Sequence, residues 1–256
     1  MTAGASAGPD GRGVMGILGG TFDPVHSGHV AVALVARDAL GLDLVTLVPT
    51  RVPSHRSRQP YASIYHRFAM TALAALSEEG LQVSDLELDA PGPSYTSMLL
   101  DRLHGEGYDA SHIVFIIGAD AFAEIATWHD YPAILNRCHF AVISRPGQQA
   151  DELRARLPGL ADRFITVAPD TRAPNAQWLL GVETASSAAL ASHAPAIFLI
   201  GAATPDVSST EIRERRRAGL PIDGMVPGAV EQYIRRHTLY AGAVPTAGHL
   251  HEHKAQ

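Results

Sequence analysis

Residues 16 to 30 read GILGGTFDPVHSGHV, placing two imidazoles, His26 and His29, three residues apart in front of a run with helical periodicity. Three chemistries compete for that pattern: a metal site, ordinary helix-start hydrogen bonding, and a cradle for phosphate. Gly19 and Gly20 carry no Cβ, so the chain can turn sharply there and approach a ligand closely. Ser27 is expected as the N-cap of the following helix, whose first N–H groups lack intrahelical partners and carry partial positive charge. Such a terminus is an anion site. With the helix starting near Ser27, His26 and His29 project to one side of its first turn, and Gly28 keeps the backbone between them accessible. Zinc proteases instead space their histidines at i and i+4 with a glutamate beside the first, and HSGH has neither feature. No metal ligand is therefore assigned.

A second segment, DVSSTEIRERRRAG at 206 to 219, has the pattern of a capping box, with Ser208 as N-cap and Glu211 three residues on. It offers another helix start, the hydroxyls of Ser208, Ser209 and Thr210, and Arg213. An arginine near a helix N-terminus is disfavoured by up to about 1 kcal/mol at exposed sites. A bound polyphosphate reverses that sign. Arg215, Arg216 and Arg217 read as a solvated helix face. Lysine occurs only at Lys254, so a cationic contact to phosphate in the folded body must come from arginine, histidine or backbone N–H groups.

These segments need elements to hold them. Short apolar runs at Val14–Leu18, Leu44–Val48, Leu81–Leu88, His112–Ile117, Phe140–Ser144 and Ala196–Ile200 read as buried strands, with a further strand ending at Val167. Helical patterns separate them at Gly28–Leu40, Ser63–Ser77, Thr96–Leu103, Asp151–Leu157, Ser209–Ala218 and Gly228–His237. The alternation predicts an α/β fold with a doubly wound parallel sheet, right-handed crossovers, and ligands outside the carboxyl ends of the strands. GGTFDPVHSGH follows the first strand, IIGAD at 116 to 120 follows another, and RPG begins at Arg145 after a third.

The 256 residues suit one domain, expected over 14–240, with small, Gly/Pro-rich ends at 1–13 and 241–256 read as disordered. His249, His251 and His253 in the tail read as solvated histidines. A formal charge of -6 argues against nucleic acid or anionic membrane as a partner. The single cysteine, Cys138, and the absence of a secretory pattern fit a reducing cytoplasm. The apolar run from Val30 to Val48 is interrupted by Arg37, Asp38 and Asp43 and does not read as a membrane span.

GGTFDPVHSGH and VSSTEIR together resemble the signatures of the HxGH nucleotidyltransferase superfamily. VPTRVPSHR, HRFAM, SYT, IIGADAF, TWHDY, ISRPG and VPGAVEQYIRRHTLY are similar to segments of its bacterial nicotinate-nucleotide adenylyltransferases, in the same order from about Met15 to Tyr240. The resemblance implies a Rossmann-like fold and adenylyl transfer from ATP to nicotinate mononucleotide, giving nicotinate adenine dinucleotide and pyrophosphate, with Mg2+ carried by the ATP phosphates. It assigns Gly19, Gly20, Thr21, Phe22, His26, His29, Gly118, Asp120, Ser208, Ser209, Thr210 and Arg213 to ATP, with His26, His29 and Arg213 stabilising the transition state. Arg56, Tyr95, Thr96, Trp128 and Arg145 fall to the acceptor side.

The chain departs from that pattern in three places. Arg56 stands where the family usually has lysine, with Ser54 replacing a proline, and an arginine fork is not geometrically equivalent. After SYT the family usually has a run containing aspartate and then Thr-Leu, whereas Ser97, Met98 and Leu99 follow here, and Met98 cannot supply a carboxylate's hydrogen bonds. A stretch at about 168–195 is longer than the family's usual crossover. It holds Trp178, Leu179 and Leu180, and three roles stay open for it: a lid, a contact within a homo-oligomer, or a remodelled acceptor pocket. Two other functions compete with the first: the same transfer to another phosphate acceptor such as nicotinamide mononucleotide, and a nucleotide-sensing module without turnover.

Overall fold

The computed structural model describes residues 13–53, 59–144, 150–167, 190 and 194–242. Arg56, Arg145, the three tail histidines and nearly all of the 168–195 stretch lie outside the described residues. Within them, β1 (Met15–Gly20), β2 (Leu44–Pro49), β3 (Leu81–Val83), β4 (Ile113–Gly118), β5 (His139–Ser144), β6 (Phe164–Val167) and β7 (Ile197–Gly201) form one sheet in the order β3-β2-β1-β4-β5-β7-β6. Every pairing is parallel. The connecting helices are α1 (Ser27–Leu40), α2 (Ile64–Leu76), α3 (Thr96–Gly105), α4 (Ala119–Phe122), α5 (Ala150–Arg156), α6 (Ser209–Arg217) and α7 (Gly228–Arg236).

The strands are apolar at nearly every position because both faces are covered. In β4, Val114 and Ile116 point into a core shared with Ala33 and Ala36 of α1, Met70 of α2 and Ile234 of α7. Ile113, Phe115 and Ile117 point the other way, against Leu100 and Leu103 of α3. Strand order runs outward from β1 to β3 in one direction and from β4 in the other, so the topological switch lies between β1 and β4, where Met15 to Leu18 pair with Ile113 to Ile116. A ligand cleft is expected beyond the carboxyl ends of these two strands.

One expected strand is much shorter than its apolar pattern. Leu81–Leu88 pairs with β2 only to Val83, with one further bond from the Ser84 N–H to the Leu47 carbonyl. There the Ser84 hydroxyl accepts from the Leu86 N–H at 3.2 Å, and the Leu88 N–H turns back to the Asp85 carbonyl. Serine and aspartate offer the backbone this local alternative to a ladder, and the turn carries Glu87 toward the switch.

Helix α2 anchors the loops above the sheet. Ser63, expected as its first residue, instead caps it, accepting from the His66 N–H. Arg67, 1% exposed, donates from Nη1 to the Thr21 and Thr50 carbonyls at 2.7 Å each, and from Nη2 and Nε to those of Arg51 and Ala62. One guanidinium thus ties the loop after β1 to the loop after β2. Replacing Arg67 by Met strands several buried carbonyls, and a loss of roughly 3 kcal/mol or more is expected. Urea denaturation checks this; a change below about 1 kcal/mol would show that the clamp carries little of the stability.

Candidate active site

The turn between β1 and α1 is held from behind. Phe22 has a positive φ of 48° and is buried, its ring folded back so that a Cβ on Gly20 would lie 2.6 Å from it. Glycine is therefore required at that position. The buried Asp23 carboxylate accepts from the Tyr61 N–H at 2.7 Å, the Ala62 N–H at 3.1 Å and the Tyr240 hydroxyl at 2.8 Å. Arg213 donates to the Asp23 carbonyl at 2.6 Å.

Helix α1 begins one residue earlier than its hydroxyl suggested. His26 is the N-cap, and its backbone N–H donates to the His29 Nδ1 at 3.3 Å. Ser27 does not cap: its hydroxyl reaches away to the Met225 carbonyl at 2.6 Å, and its N–H donates to the same oxygen. Of the first-turn donors, His29 and Val30 bond to the His26 carbonyl, while the Gly28 N–H has no hydrogen-bond partner among the described residues. Gly28 lines the cleft, and its amide belongs to the open first turn of the helix. The imidazoles of His26 and His29 stack with centroids 3.6 Å apart, and the Phe22 ring meets His29 edge-on. Burial pushes the His26 imidazole down to about 4, and its Nδ1 is buried without a partner. The ring is neutral at pH 7 in the free protein.

Helix α6 supplies the neighbouring wall. Ser208 is its N-cap, with its side chain accepting from the Glu211 N–H at 3.1 Å. Ser209 donates to the Pro24 carbonyl at 2.9 Å, fastening this helix start to the β1–α1 turn. Arg213 is buried, donates also to the Thr210 hydroxyl, and lies 4.8 Å from the Tyr61 ring centroid. Its guanidinium sits behind the turn and does not line the cleft, whose α6 side is formed by Thr204, Pro205 and Val207. Arg217, expected to be only solvated, also lies over the Tyr61 ring, 4.7 Å from its centroid.

The cleft itself has a volume of about 520 Å³ and opens beyond β1 and β4, where the topology places it. Gly19, Gly20, Thr21, His26 and His29 line it, together with Thr96, Leu99, Gly118 and Trp128. Trp128 packs edge-on against Phe115. Of the sequence-derived set, Tyr95 stacks on His129 at 4.4 Å outside this lining, and exposed Asp120 lines an adjoining 220 Å³ hollow that shares Gly118 and Thr204 with the cleft. Glu87 and Thr50 also line the cleft and were not singled out from sequence. The break after β3, on which Glu87 depends, has no motif signal beyond Ser84 and Asp85.

Comparison with known proteins agrees with this arrangement. The cytidylyltransferase-like family model matches residues 17–215. The probable nicotinate-nucleotide adenylyltransferase of Geotalea daltonii is 37% identical over 227 residues, covering 88% of this chain and 97% of the relative. That of Serratia proteamaculans is 36% identical over 226 residues, covering 88% and 94%. The fold is shared with a solved structure titled as Plasmodium falciparum nicotinic acid mononucleotide adenylyltransferase complexed with NaAD, at a TM-score of 0.62 and 17% identity over 90% of this chain and 98% of that one. The chain belongs to the cytidylyltransferase-like family of nucleotidyltransferases and, within it, to the nicotinate-nucleotide adenylyltransferases. Among the described residues, no helix is long and apolar enough to cross a membrane.

Two outcomes follow from the histidine pair. A Cβ on Gly28 would lie 3.0 Å from the His26 Nδ1 and 3.2 Å from the Pro205 carbonyl, so Gly28→Ala must displace the ring. Steady-state kinetics should show kcat lowered about tenfold or more, a misplacement cost; an unchanged kcat would show that the ring's position is not critical. Separately, the unfolded chain binds a proton at His26 below its ordinary value of 6.5, whereas the folded protein resists it down to about 4. Stability therefore rises with pH across that window and is lost as pH falls through it, by roughly 2 to 3 kcal/mol from this group. Denaturation midpoints at pH 7 and pH 4.5 should differ less in His26→Asn than in the parent; an equal difference would remove His26 as the source.

Proposed function

We propose that residues 14–240 transfer the adenylyl group of ATP to nicotinate mononucleotide, giving nicotinate adenine dinucleotide and pyrophosphate, in the NAD biosynthesis of the cytoplasm. The observation that carries this reading is the stacked His26–His29 pair with Gly28, set in one cleft with Thr96 and Trp128. The attacking phosphate monoester has a second pKa near 6 and is largely dianionic at neutral pH, so no general base is needed. An oxygen of that phosphate attacks the α-phosphorus, the bond to the bridging oxygen breaks, and pyrophosphate leaves with the electron pair. The obstacle is charge, and the protein's part is positioning and electrostatic stabilisation.

His26 and His29 donate to the phosphate oxygens as charge builds on them. His26 begins neutral through burial, and an adjacent polyphosphate favours its cationic form. Arg67 and Arg213, buried behind the turn with Asp23, hold the backbone that presents these donors. Ser208, Ser209 and Thr210 at the α6 start, next to the Val207 that lines the cleft, adjoin the β and γ groups in this reading, and Arg56 and Arg145 serve the acceptor phosphate. Family membership fits a divalent metal accompanying ATP, and we take it to be Mg2+. The cleft lining sets the imidazoles of His26 and His29 beside the Thr21 hydroxyl, groups suited to phosphate oxygens, so in this reading the nucleotide's own phosphates would carry the ion, which would neutralise part of their charge.

A second reading keeps the donor and changes the acceptor: Met98 follows SYT where the resemblance implies a run containing aspartate, and the neighbouring Leu99 lines the cleft. Pyrophosphate release from ATP and Mg2+, with nicotinate mononucleotide set against nicotinamide mononucleotide and other phosphate monoesters, separates the two. Release is expected with nicotinate mononucleotide; release only with another acceptor would overturn that choice, and none with any acceptor would overturn adenylyl transfer. In the same assay His29→Ala should slow turnover at least about a hundredfold, a barrier increase of roughly 2.7 kcal/mol. A near-normal rate would return His29 to a purely structural role.

A further inference from the structure

Glu87 is 6% exposed and stands in the wall of the cleft near Thr50, Pro53, Ser94 and Thr96. An ionised carboxylate offers two oxygens and about four lone-pair positions. Among the described residues its carboxylate accepts one hydrogen bond, a long one from the Arg51 N–H at 3.4 Å. The Arg51 guanidinium turns elsewhere, donating to the Ala90 carbonyl at 2.6 Å. No ion pair to Glu87 occurs among the described residues. Burying such a group is costly unless hydrogen bonds satisfy it.

The wall around it is fixed in place. The Val52 N–H donates to the Ser94 hydroxyl at 3.2 Å, the Ser94 N–H returns to the Val52 carbonyl at 2.9 Å, and Pro53 pairs with Ser94 in a parallel bridge. A buried carboxylate with one long hydrogen bond among the described residues, set in a ligand cleft, selects donors. In an acceptor nucleotide the phosphate and a ring carboxylate are both anionic and repelled by it. The ribose hydroxyls are the groups able to donate.

We propose that Glu87 binds the ribose diol of the acceptor nucleotide and makes the enzyme selective for ribonucleotide acceptors. This rests on the adenylyl-transfer reading above. The test is steady-state kinetics of the full chain with ATP and nicotinate mononucleotide, or its 2′-deoxy and 3′-deoxy analogues, on the parent protein, Glu87→Gln and Glu87→Ala. The parent should disfavour at least one deoxy acceptor about tenfold or more. Glu87→Ala should raise KM for nicotinate mononucleotide by roughly ten- to hundredfold, the worth of hydrogen bonds to a charged group. The near-isosteric Glu87→Gln should fall between, KM for ATP should stay within about twofold in both variants, and the deoxy penalty should largely vanish in Glu87→Ala. An unchanged acceptor KM, a rise in both KM values together, or a deoxy penalty undiminished in Glu87→Ala would overturn the assignment. Failure of the parent chain to use nicotinate mononucleotide is a different result: it overturns the parent reading and this inference with it.

Discussion

The Arg67 guanidinium and its backbone carbonyl partners are the constraint on which the site depends. Thr21 lies after β1, Thr50 and Arg51 after β2, and Ala62 just before α2, so one rigid, planar donor set fixes the mutual position of three chain segments. A lysine could not do the same, because a point charge lacks the fork geometry. The turn between β1 and α1 can then be irregular, with a positive φ at Phe22, because the Thr21 carbonyl is satisfied from behind.

Asp23 extends that support to the two ends of the chain's order. Its carboxylate accepts from Tyr61, Ala62 and Tyr240, and its carbonyl accepts from Arg213. Arg67 and Arg213 with Asp23 leave one net positive charge behind the turn, on the side away from the cleft. Neutral His26 and the Gly28 amide occupy the cleft side. The arrangement separates permanent charge, used to hold the backbone, from inducible charge, available when a polyanion arrives. It also avoids placing two cationic imidazoles in contact at 3.6 Å in the free protein.

Much of the scaffold was legible because its signals are local. Strand and helix positions match to within one or two residues along most of the chain, since apolar runs and capping residues act over a few positions. Ser208 caps where its hydroxyl suggested. Ser27 shows the limit of that reasoning: its hydroxyl had a competing partner 198 residues away at Met225, and a tertiary contact won over a local one. The shortening of β3 has the same origin in reverse, a local turn at Ser84 prevailing over an apolar pattern that could have continued the ladder.

The sequence by itself determined the class of protein, the strand–turn–helix setting of His26 and His29, and the end of the sheet at which chemistry is possible, because spacing and periodicity survive without knowledge of distant contacts. Tertiary structure alone decided how those groups are placed. Arg213 reaches the Asp23 carbonyl, 190 residues away, a contact that no local pattern announces. His26 is neutral because the packed fold strips water from it, and Glu87 enters the cleft because a turn redirects the chain there. Protonation state and orientation depend on burial and on partners remote in the chain, and neither is encoded in any short stretch of residues.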